Sequence, residues 1–306
     1  MNRQTIKPEN HEHWLELRSA DLTSTEVSAL FNLSPYQTLF ELWHRKKNKD
    51  IVAIEQTDRM KWGSRLEGVI AEGVAADQGW SVKAFKDYMR VPELRIGSSF
   101  DYMIGTDGLL EIKNVSEMAF RSSWSGDDDN LEAPPHIEMQ VQHQLLVSGM
   151  SYAYICALVG GNTVRLIKRE PQPEIHNAII KKVSQFWQSI ESNTAPAPNF
   201  EKDAEFIRQL YSHAEPGLII EEPDTQGFND LVYRHRELGL EIKKKEDARA
   251  AIQSQLLMMI GEHEKVKGSG WTISAGMVGP AKVEYERKGY RTFKINFKKT
   301  KEVDNV

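Results

Sequence analysis

Two carboxylates and a lysine are closely spaced near residue 110, where Asp101 is followed after nine residues by Glu111-Ile112-Lys113. Successive side chains of a β-strand point to opposite faces, so Glu111 and Lys113 share one face and Ile112 points into the core. Asp101 joins them if it lies on the neighbouring strand of a hairpin that turns near residues 105–108. The pattern therefore predicts two acids and an ammonium group around one point.

This combination predicts metal-dependent hydrolysis of a phosphodiester. Mg²⁺ prefers hard oxygen ligands such as carboxylates. The bound ion lowers the pKa of a water molecule and holds the phosphate oxygens. The Lys113 ammonium can orient or deprotonate the attacking water. Taken alone, an exposed Glu-x-Lys on a strand is usually a solvated face, so the flanking sequence has to support the prediction.

A helix upstream of these residues carries a further acid. Residues 57–79 predict a helix because Leu66, Val69 and Ile70 recur at the spacing of one helical face. Glu67 lies beside this apolar stripe and can face a metal ion. The alternative is an ordinary exposed glutamate.

A second helix is predicted downstream, at residues 136–149 after two prolines that suit a helix start. Gln140 and Gln144 are four residues apart and therefore share one face of this helix. Their amides can hydrogen-bond a phosphate or a metal-bound water. For Gln142 and His143, a plain polar helix face is the favoured interpretation.

The N-terminal region offers groups that bind phosphate. Thr23-Ser24-Thr25-Glu26 reads as a capping box at the start of a short helix over residues 21–31, with Thr23 as N-cap. Helix N-termini bind phosphates through unpaired N–H groups, and Arg18 adds a bidentate donor. A cap without any ligand is the open alternative.

Taken in order, these segments resemble the YqaJ-like viral recombinase family. The segments are Trp-Gly-x-x-Leu-Glu at 62–67, Ser-Phe-Asp at 99–101, Leu-Glu-Ile-Lys-Asn at 110–114 and Gln-Val-Gln-His-Gln-Leu at 140–145. The resemblance covers about residues 14–190. Members of this family are phage alkaline exonucleases, relatives of lambda exonuclease, built on the PD-(D/E)xK restriction-endonuclease core.

The resemblance implies roles for eight residues. The implied roles are metal ligands for Glu67, Asp101, Glu111 and the backbone carbonyl of Ile112, catalytic lysine for Lys113, active-site glutamine for Gln140, and 5′-phosphate binding for Arg18 and Thr25. The implied cofactor is Mg²⁺, one or two ions per site, with Mn²⁺ as a substitute.

Two positions depart from the family pattern. Asp101 is followed by Tyr102 where the family usually has glycine, which makes Asp107, followed by Gly108, a rival acid. Asp101 is preferred because Asp107 would lie in the hairpin itself. Thr25 replaces a serine that is common in the family, and its hydroxyl can make the same bond.

The resemblance also implies an activity and its partners. The family degrades one strand of duplex DNA processively from the 5′ end and leaves a 3′ single strand for an annealing protein. A ring-shaped homo-oligomer and a location in the cytoplasm of a bacterial host are expected. Two alternatives stay open: a structure- or sequence-specific endonuclease on the same fold, and a DNA-end binding scaffold with little activity. An endonuclease has no use for a terminal-phosphate pocket, and the intact Asp101, Glu111 and Lys113 argue against the scaffold.

Length and composition fit an intracellular enzyme without a membrane span. The 306 residues are 40% hydrophobic, and no run approaches 18 apolar residues. The single cysteine, Cys156, excludes disulfides within the chain and a four-cysteine iron–sulfur cluster. The net charge of −5 argues mildly against a DNA-binding protein, but the distribution of charge matters more than the sum. Acids concentrate at the predicted metal site, 127–129 and 201–224, and bases at 45–47, 181–182 and the C-terminal end.

The predicted fold class is α/β: a mixed central sheet flanked by helices over residues 1–193, with a separate extension at 200–306. Strands are predicted at 81–91, 95–101, 108–113, 151–159 and 163–170, and helices at 21–31, 37–49, 57–79, 136–149 and 174–192. The extension should contain a short helix at 201–213, a long helix at 228–263, as a coiled coil, helical hairpin or single surface helix, and a β-hairpin around Gly289. Aromatic residues of that hairpin could stack on single-stranded DNA or pack on the hairpin itself.

Overall fold

The computed structural model describes residues 1–49, 57–127, 130–220, 227–287 and 289–297. It separates into two units, Met1–Ile207 and Arg208–Val306. Parts of the predicted acidic runs at 127–129 and 201–224, and of the basic C-terminal end, lie outside the described residues.

The first unit contains nine strands and six complete helices among its described residues. In chain order these are β1 (Gln4–Ile6), α1 (His11–Ala20), β2 (Leu22–Thr23), α2 (Leu39–Asn48), α3 (Asp58–Gln78), β3 (Val82–Ala84), β4 (Tyr88–Val91), β5 (Ile96–Ser98), β6 (Tyr102–Ile104), β7 (Gly108–Val115), α4 (Glu117–Ser123), α5 (Pro135–Ser148), β8 (Tyr152–Val159), β9 (Thr163–Arg169) and α6 (Pro173–Glu191). Two short 3-10 segments occupy Val27–Phe31 and Pro92–Leu94, and α7 (Ala204–Leu210) crosses the boundary to the second unit.

The larger sheet has the strand order β3-β6-β7-β8-β9. Strands β7 and β8 run parallel and the other neighbours run antiparallel, so the predicted mixed sheet is confirmed. Strands β6 and β7 form a hairpin in which Ile104 pairs with Gly108. This hairpin brings the residue before β6, Asp101, alongside the end of β7 that carries the predicted acid and lysine.

The two faces of this sheet are covered by different helices. Leu110 and Ile112 pack with Ile70 and Val74 of α3. The intervening positions of β7 face the other way, and Leu109 belongs to the core that α5 completes. Because side chains alternate along β7, Glu111 also faces α5 and Ile112 faces the apolar core, as the sequence pattern predicted.

A smaller sheet with the order β1-β4-β5-β2 holds the N-terminal region. The prediction of one helix over residues 21–31 is wrong. Leu22 and Thr23 pair with β5 in parallel, with Leu22 opposite Ile96, and only Val27–Phe31 turns, as a 3-10 helix. Leu22 is completely buried, and strand pairing satisfies its backbone where a helix start would not.

The long helices follow the sequence closely. Helix α3 begins after Thr57, whose side chain accepts a hydrogen bond from the backbone of Met60, and ends at Gly79 in the left-handed conformation (φ +67°). The predicted strand 81–91 is divided into β3 and β4, which belong to different sheets. Among the described residues, none of the helices combines the length and apolarity needed to cross a membrane.

The second unit consists mainly of one helix. It contains α8 (Phe228–Ile260), β10 (Lys265–Gly268) and β11 (Trp271–Ser274). Helix α8 is unbroken over 33 residues, so the helical-hairpin alternative is wrong, and Ile260 is its one buried residue.

The predicted hairpin around Gly289 is also wrong. The hairpin of this unit is β10–β11, where Gly268 pairs with Trp271 and Gly270 supplies the left-handed turn (φ +85°). The described residues between 275 and 297 contain no strand. Two of their rings contact α8: the Phe297 ring lies 5.7 Å from the ring of Tyr233, and the Phe293 ring lies 5.8 Å from the ring of His235.

Candidate active site and N-terminal cluster

Glu111 is the centre of a buried polar network between β7 and α5. Its side chain is 4% exposed. Gln140 Nε2 donates to Oε1 and Gln144 Nε2 donates to Oε2, both at 2.6 Å. Lys113 Nζ donates to Glu111 Oε1 and, at 3.2 Å, to Gln140 Oε1. The predicted pair of glutamines on one face of α5 thus meets the predicted acid and lysine on one face of β7.

Asp101 reaches the same region through the β6–β7 hairpin. Its Oδ2 accepts a hydrogen bond of 2.7 Å from the backbone N–H of Ile112. The rival acid Asp107 lies in the turn at the opposite end of β7, where its Oδ1 accepts from Ser151 Oγ at 2.8 Å. The structure therefore brings Asp101, and not Asp107, next to Glu111.

Glu67, Asp101 and Glu111, which we call the acid cluster, are close enough for the charge of Glu111 to act on the other two. Burial and then the charge of Glu111 raise the pKa of Asp101 well above its usual value. The same two causes raise the pKa of Glu67. Burial disfavours the charged Lys113, but Glu111 and Asp101 outweigh it, and the lysine pKa is raised. One ammonium group thus faces three carboxylates, and a bound cation would relieve the excess negative charge.

The chemical types of the predicted metal ligands suit Mg²⁺, although their side chains do not converge on one point. Three carboxylates and the Ile112 carbonyl provide only hard oxygen atoms. Among the described residues, no three His, Cys, Asp or Glu side chains stand in an arrangement that could hold a metal ion. Both carboxylate oxygens of Glu111 accept hydrogen bonds from glutamines. Metal binding by these residues stays a prediction, and it requires the Glu111 carboxylate to exchange partners.

Arg18, Thr23 and Thr25, which we call the N-terminal cluster, lie together between α1 and β2. Arg18 Nη2 donates to Thr25 Oγ1 at 3.2 Å and lies 3.5 Å from Thr23 Oγ1. The guanidinium carbon is 4.5 Å from the ring centroid of Trp14, whose Nε1 donates to Ser99 Oγ at 3.0 Å. The predicted phosphate-binding pair is therefore assembled. Ser99 precedes Asp101 by two residues and links the two regions along the chain.

The buried Lys46 contacts the backbone and the carboxylate that lie next to the N-terminal cluster. Lys46 Nζ donates to the carbonyl oxygens of Arg18 and Asp21 at 2.7 Å each, and lies 2.9 Å from Glu26 Oε2. Burial would raise the pKa of Glu26, but the charges of Lys46 and Arg18 outweigh it and lower that pKa. Glu26 in turn accepts from the backbone N–H and the hydroxyl of Thr23, at 2.9 and 2.8 Å.

Lys46 belongs to the basic run at 45–47 of the sequence, but its side chain is buried. Leu42, Trp43 and Lys46 form the buried face of α2. The spacing of three and four residues was the signal that could have shown it. The reach of Glu26 back to Thr23 was predicted correctly, although Thr23 lies in a strand and caps no helix.

The polar residues between the two glutamines of α5 are not a solvated face. Gln142 is 1% exposed, donates to the Glu170 carbonyl at 2.9 Å and accepts from the Gln172 N–H at 3.0 Å. His143 is completely buried, and neither ring nitrogen has a hydrogen-bond partner among the described residues. Burial lowers the pKa of His143 to about 3, so its ring is neutral at physiological pH. Helix α5 is enclosed on all sides, which its sequence pattern did not reveal.

These features define an α/β domain in which strand-borne carboxylates, a lysine and helix-borne glutamines share one site. Residues 13–151 match the model of the YqaJ-like viral recombinase domain. The resemblance predicted from the sequence segments is thereby confirmed.

Comparison with individual proteins gives more distant similarities. The uncharacterized protein YqaJ of Bacillus subtilis (strain 168) is 29% identical over 218 residues, which are 69% of this chain and 67% of the relative. Among solved structures, LHK-Exo, an alkaline exonuclease from Laribacter hongkongensis, in complex with dAMP has a TM-score of 0.48 at 18% identity, over 64% of this chain and 99% of that chain. A phage-related exonuclease from Haemophilus somnus 129PT has a TM-score of 0.42 at 11% identity, over 56% of this chain and 94% of that chain.

Proposed function

We propose that this protein is a Mg²⁺-dependent exonuclease with a PD-(D/E)xK core that degrades one strand of duplex DNA from its 5′ end. The observation that carries the proposal is the network of Glu111, Lys113 and Gln140 beside Asp101, within a domain that matches the YqaJ-like family. Its product would be a 3′ single strand for an annealing protein in phage-type recombination. A homo-oligomeric ring in the bacterial cytoplasm belongs to the same proposal.

The roles follow from the chemistry of each group. Glu67, Asp101, Glu111 and the Ile112 carbonyl would hold Mg²⁺, with Mn²⁺ as a substitute, and the ion would supply Lewis acidity and an acidified water. The Lys113 ammonium, fixed by Glu111 and Gln140, stabilises negative charge that develops on the phosphate. It also orients the attacking water. Gln140 holds the acid and the lysine in one geometry.

The N-terminal cluster supports the choice of an exonuclease over an endonuclease. Arg18 and Thr25 offer a guanidinium and a hydroxyl at 3.2 Å from each other, a combination that binds a terminal phosphate through charge-assisted hydrogen bonds. An internal phosphodiester has no terminal phosphate to fill such a site. The 5′ phosphate left after each cut would fill it again, which gives direction and processivity.

The test compares three substrates in Mg²⁺. A linear duplex with 5′ phosphates should be degraded from its ends, and one with 5′ hydroxyls more slowly. A closed circle of the same sequence should remain intact. Ca²⁺ should support binding without cleavage, because its looser coordination does not align the water. Rapid cleavage of the closed circle would favour the endonuclease, whereas DNA binding without any cleavage would favour the end-binding scaffold.

A further inference from the structure

The active-site face of α5 extends one turn beyond the glutamines. His136, Gln140 and Gln144 are spaced by four residues and therefore lie in one row along the helix. The two glutamines hold Glu111, so His136 marks the outer end of the row, about 6 Å along the axis from Gln140. Burial and then the charge of Lys113 lower the pKa of His136, which favours the neutral form of its ring.

An exposed tyrosine covers this histidine. The Tyr36 ring meets the His136 ring edge to face, with centroids 5.7 Å apart and an interplanar angle of 88°. Tyr36 lies in the turn before α2, where Ser34 Oγ accepts hydrogen bonds of 3.2 Å from the backbone N–H groups of Tyr36 and Gln37. The turn is thus held in place while 84% of the tyrosine remains exposed.

We propose that Tyr36, supported by His136, forms a stacking site for the nucleobase next to the phosphodiester that is cut. The proposal rests on the proposed function and names the part of the substrate that this rim of the site takes. A nucleotide with its phosphate beside Lys113 must place its uncharged base away from the acid cluster. The Tyr36–His136 pair offers an aromatic, neutral surface next to that lysine.

Stacking suits an enzyme that must accept all four bases. Each base has a π-face, so an aromatic platform binds without reading sequence. The loss of one such contact by alanine substitution is worth roughly 1–3 kcal/mol, which corresponds to a factor on the order of 10 in affinity. Tyr36 should therefore contribute to KM for DNA and to the regular spacing of successive cuts.

The test uses a phosphorylated duplex with one abasic nucleotide in the degraded strand. The wild-type enzyme should slow on the order of 10-fold when it reaches the abasic position. The Tyr36→Ala variant should already be slowed by a similar factor at ordinary nucleotides. The abasic position should slow this variant little further, because the loss of either the base or the ring removes the same contact. Tyr36→Phe should behave as wild type. Tyr211→Ala removes another exposed tyrosine and serves as a control.

The outcomes separate the stacking site from the proposed function. The stacking site alone would be overturned if the wild type passed the abasic position at unchanged speed. It would also be overturned if the rate losses from the abasic position and from Tyr36→Ala multiplied. An equal effect of an abasic position in the complementary strand would also overturn it. Failure of the wild type to degrade any linear duplex would overturn both. Because Tyr36 is exposed, the variants should melt at the wild-type temperature, and Tyr36→Leu provides a second ring-free variant.

Discussion

The acid cluster and the N-terminal cluster both contain ionised side chains, but their charges are balanced differently. At the N-terminal cluster, the carboxylate of Glu26 is paired with Lys46, and its pKa is lowered. At the acid cluster, Asp101 lies beside a second carboxylate, and its pKa is raised. The protein stabilises the charged form of one carboxylate and destabilises the charged form of the other.

This difference is consistent with the ligand proposed for each region. Three carboxylates with one ammonium group leave net negative charge, which attracts a cation. Beside the N-terminal cluster, Lys46 neutralises the carboxylate of Glu26. Arg18 donates to the hydroxyls of Thr23 and Thr25, which are neutral and leave its positive charge uncompensated. That region attracts an anion. Such a division suits a nuclease that holds metal ions at the scissile bond and a terminal phosphate beyond it.

The largest effect is expected from Asp101→Asn. Loss of a metal carboxylate should reduce cleavage on the order of 10³-fold or more. The amide oxygen can still accept from Ile112, and the repulsion from Glu111 disappears, so the metal-free variant should melt at a higher temperature than wild type. Asp107→Asn is the matched control. If Asp107→Asn abolished cleavage and Asp101→Asn did not, the assignment of the acid would be wrong.

The next effect is expected from Lys113→Met. The variant keeps the aliphatic stem but lacks the ammonium, so single-turnover cleavage should fall on the order of 10²-fold, while the Kd for DNA stays near the wild-type value. Lys168→Met, on strand β9 of the same sheet, controls for general loss of positive charge. A variant that loses affinity and keeps its cleavage rate would reduce Lys113 to a phosphate contact.

Lys46→Met tests the ion pair between Lys46 and Glu26 beside the N-terminal cluster. It leaves Glu26 without its main counterion, so the free energy of unfolding should fall by about 2 kcal/mol, less than for a fully buried pair because Glu26 is partly exposed. The preference for 5′-phosphorylated ends should weaken as well. Lys47→Met replaces the exposed neighbour and should change neither urea unfolding nor end preference. Restored stability in Lys46→Met with Glu26→Gln would assign the loss to the unpaired carboxylate.

The smallest effect concerns pH. The pKa of His143 is lowered to about 3 in the folded protein, whereas an unfolded histidine titrates near 6.5. Below pH 6.5 the unfolded chain therefore binds more protons at this position, so stability falls as pH falls. Between pH 7.5 and 5.5 the His143 contribution is a loss of about 1 kcal/mol. In urea unfolding, His143→Phe should lose less stability than the wild type over this pH range, by the amount of the His143 contribution. An identical pH dependence of stability in both proteins would contradict the burial of a neutral ring.

The sequence predicted the acid cluster because local rules suffice there. Alternation along a strand places Glu111 and Lys113 on one face, a tight hairpin returns Asp101 to them, and a four-residue spacing aligns Gln140 with Gln144. Each rule concerns residues that are near in sequence or paired in a hairpin. The structure assembles these residues as predicted, whereas their catalytic roles stay predictions.

Features that depend on distant packing were not predictable in the same way. Lys46 lies in a basic run, and only the fold shows that its ammonium group binds carbonyl oxygens at the end of α1 and before β2. His143 is buried because α5 is enclosed by elements far away in sequence. In the second unit, Phe293 and Phe297 suit a strand by propensity, but their rings contact α8, so tertiary contacts override propensity.

The most direct test of this account is the effect of a 5′ phosphate on wild type and Arg18→Ala. With wild type, phosphorylated linear duplexes should be degraded faster and in longer runs than hydroxyl-ended ones. With Arg18→Ala this advantage should disappear, while the rate of a single cleavage stays close to wild type, because the acid cluster is unchanged. An equal phosphate advantage in both proteins, or none in either, would contradict the division into a cation-binding and an anion-binding region.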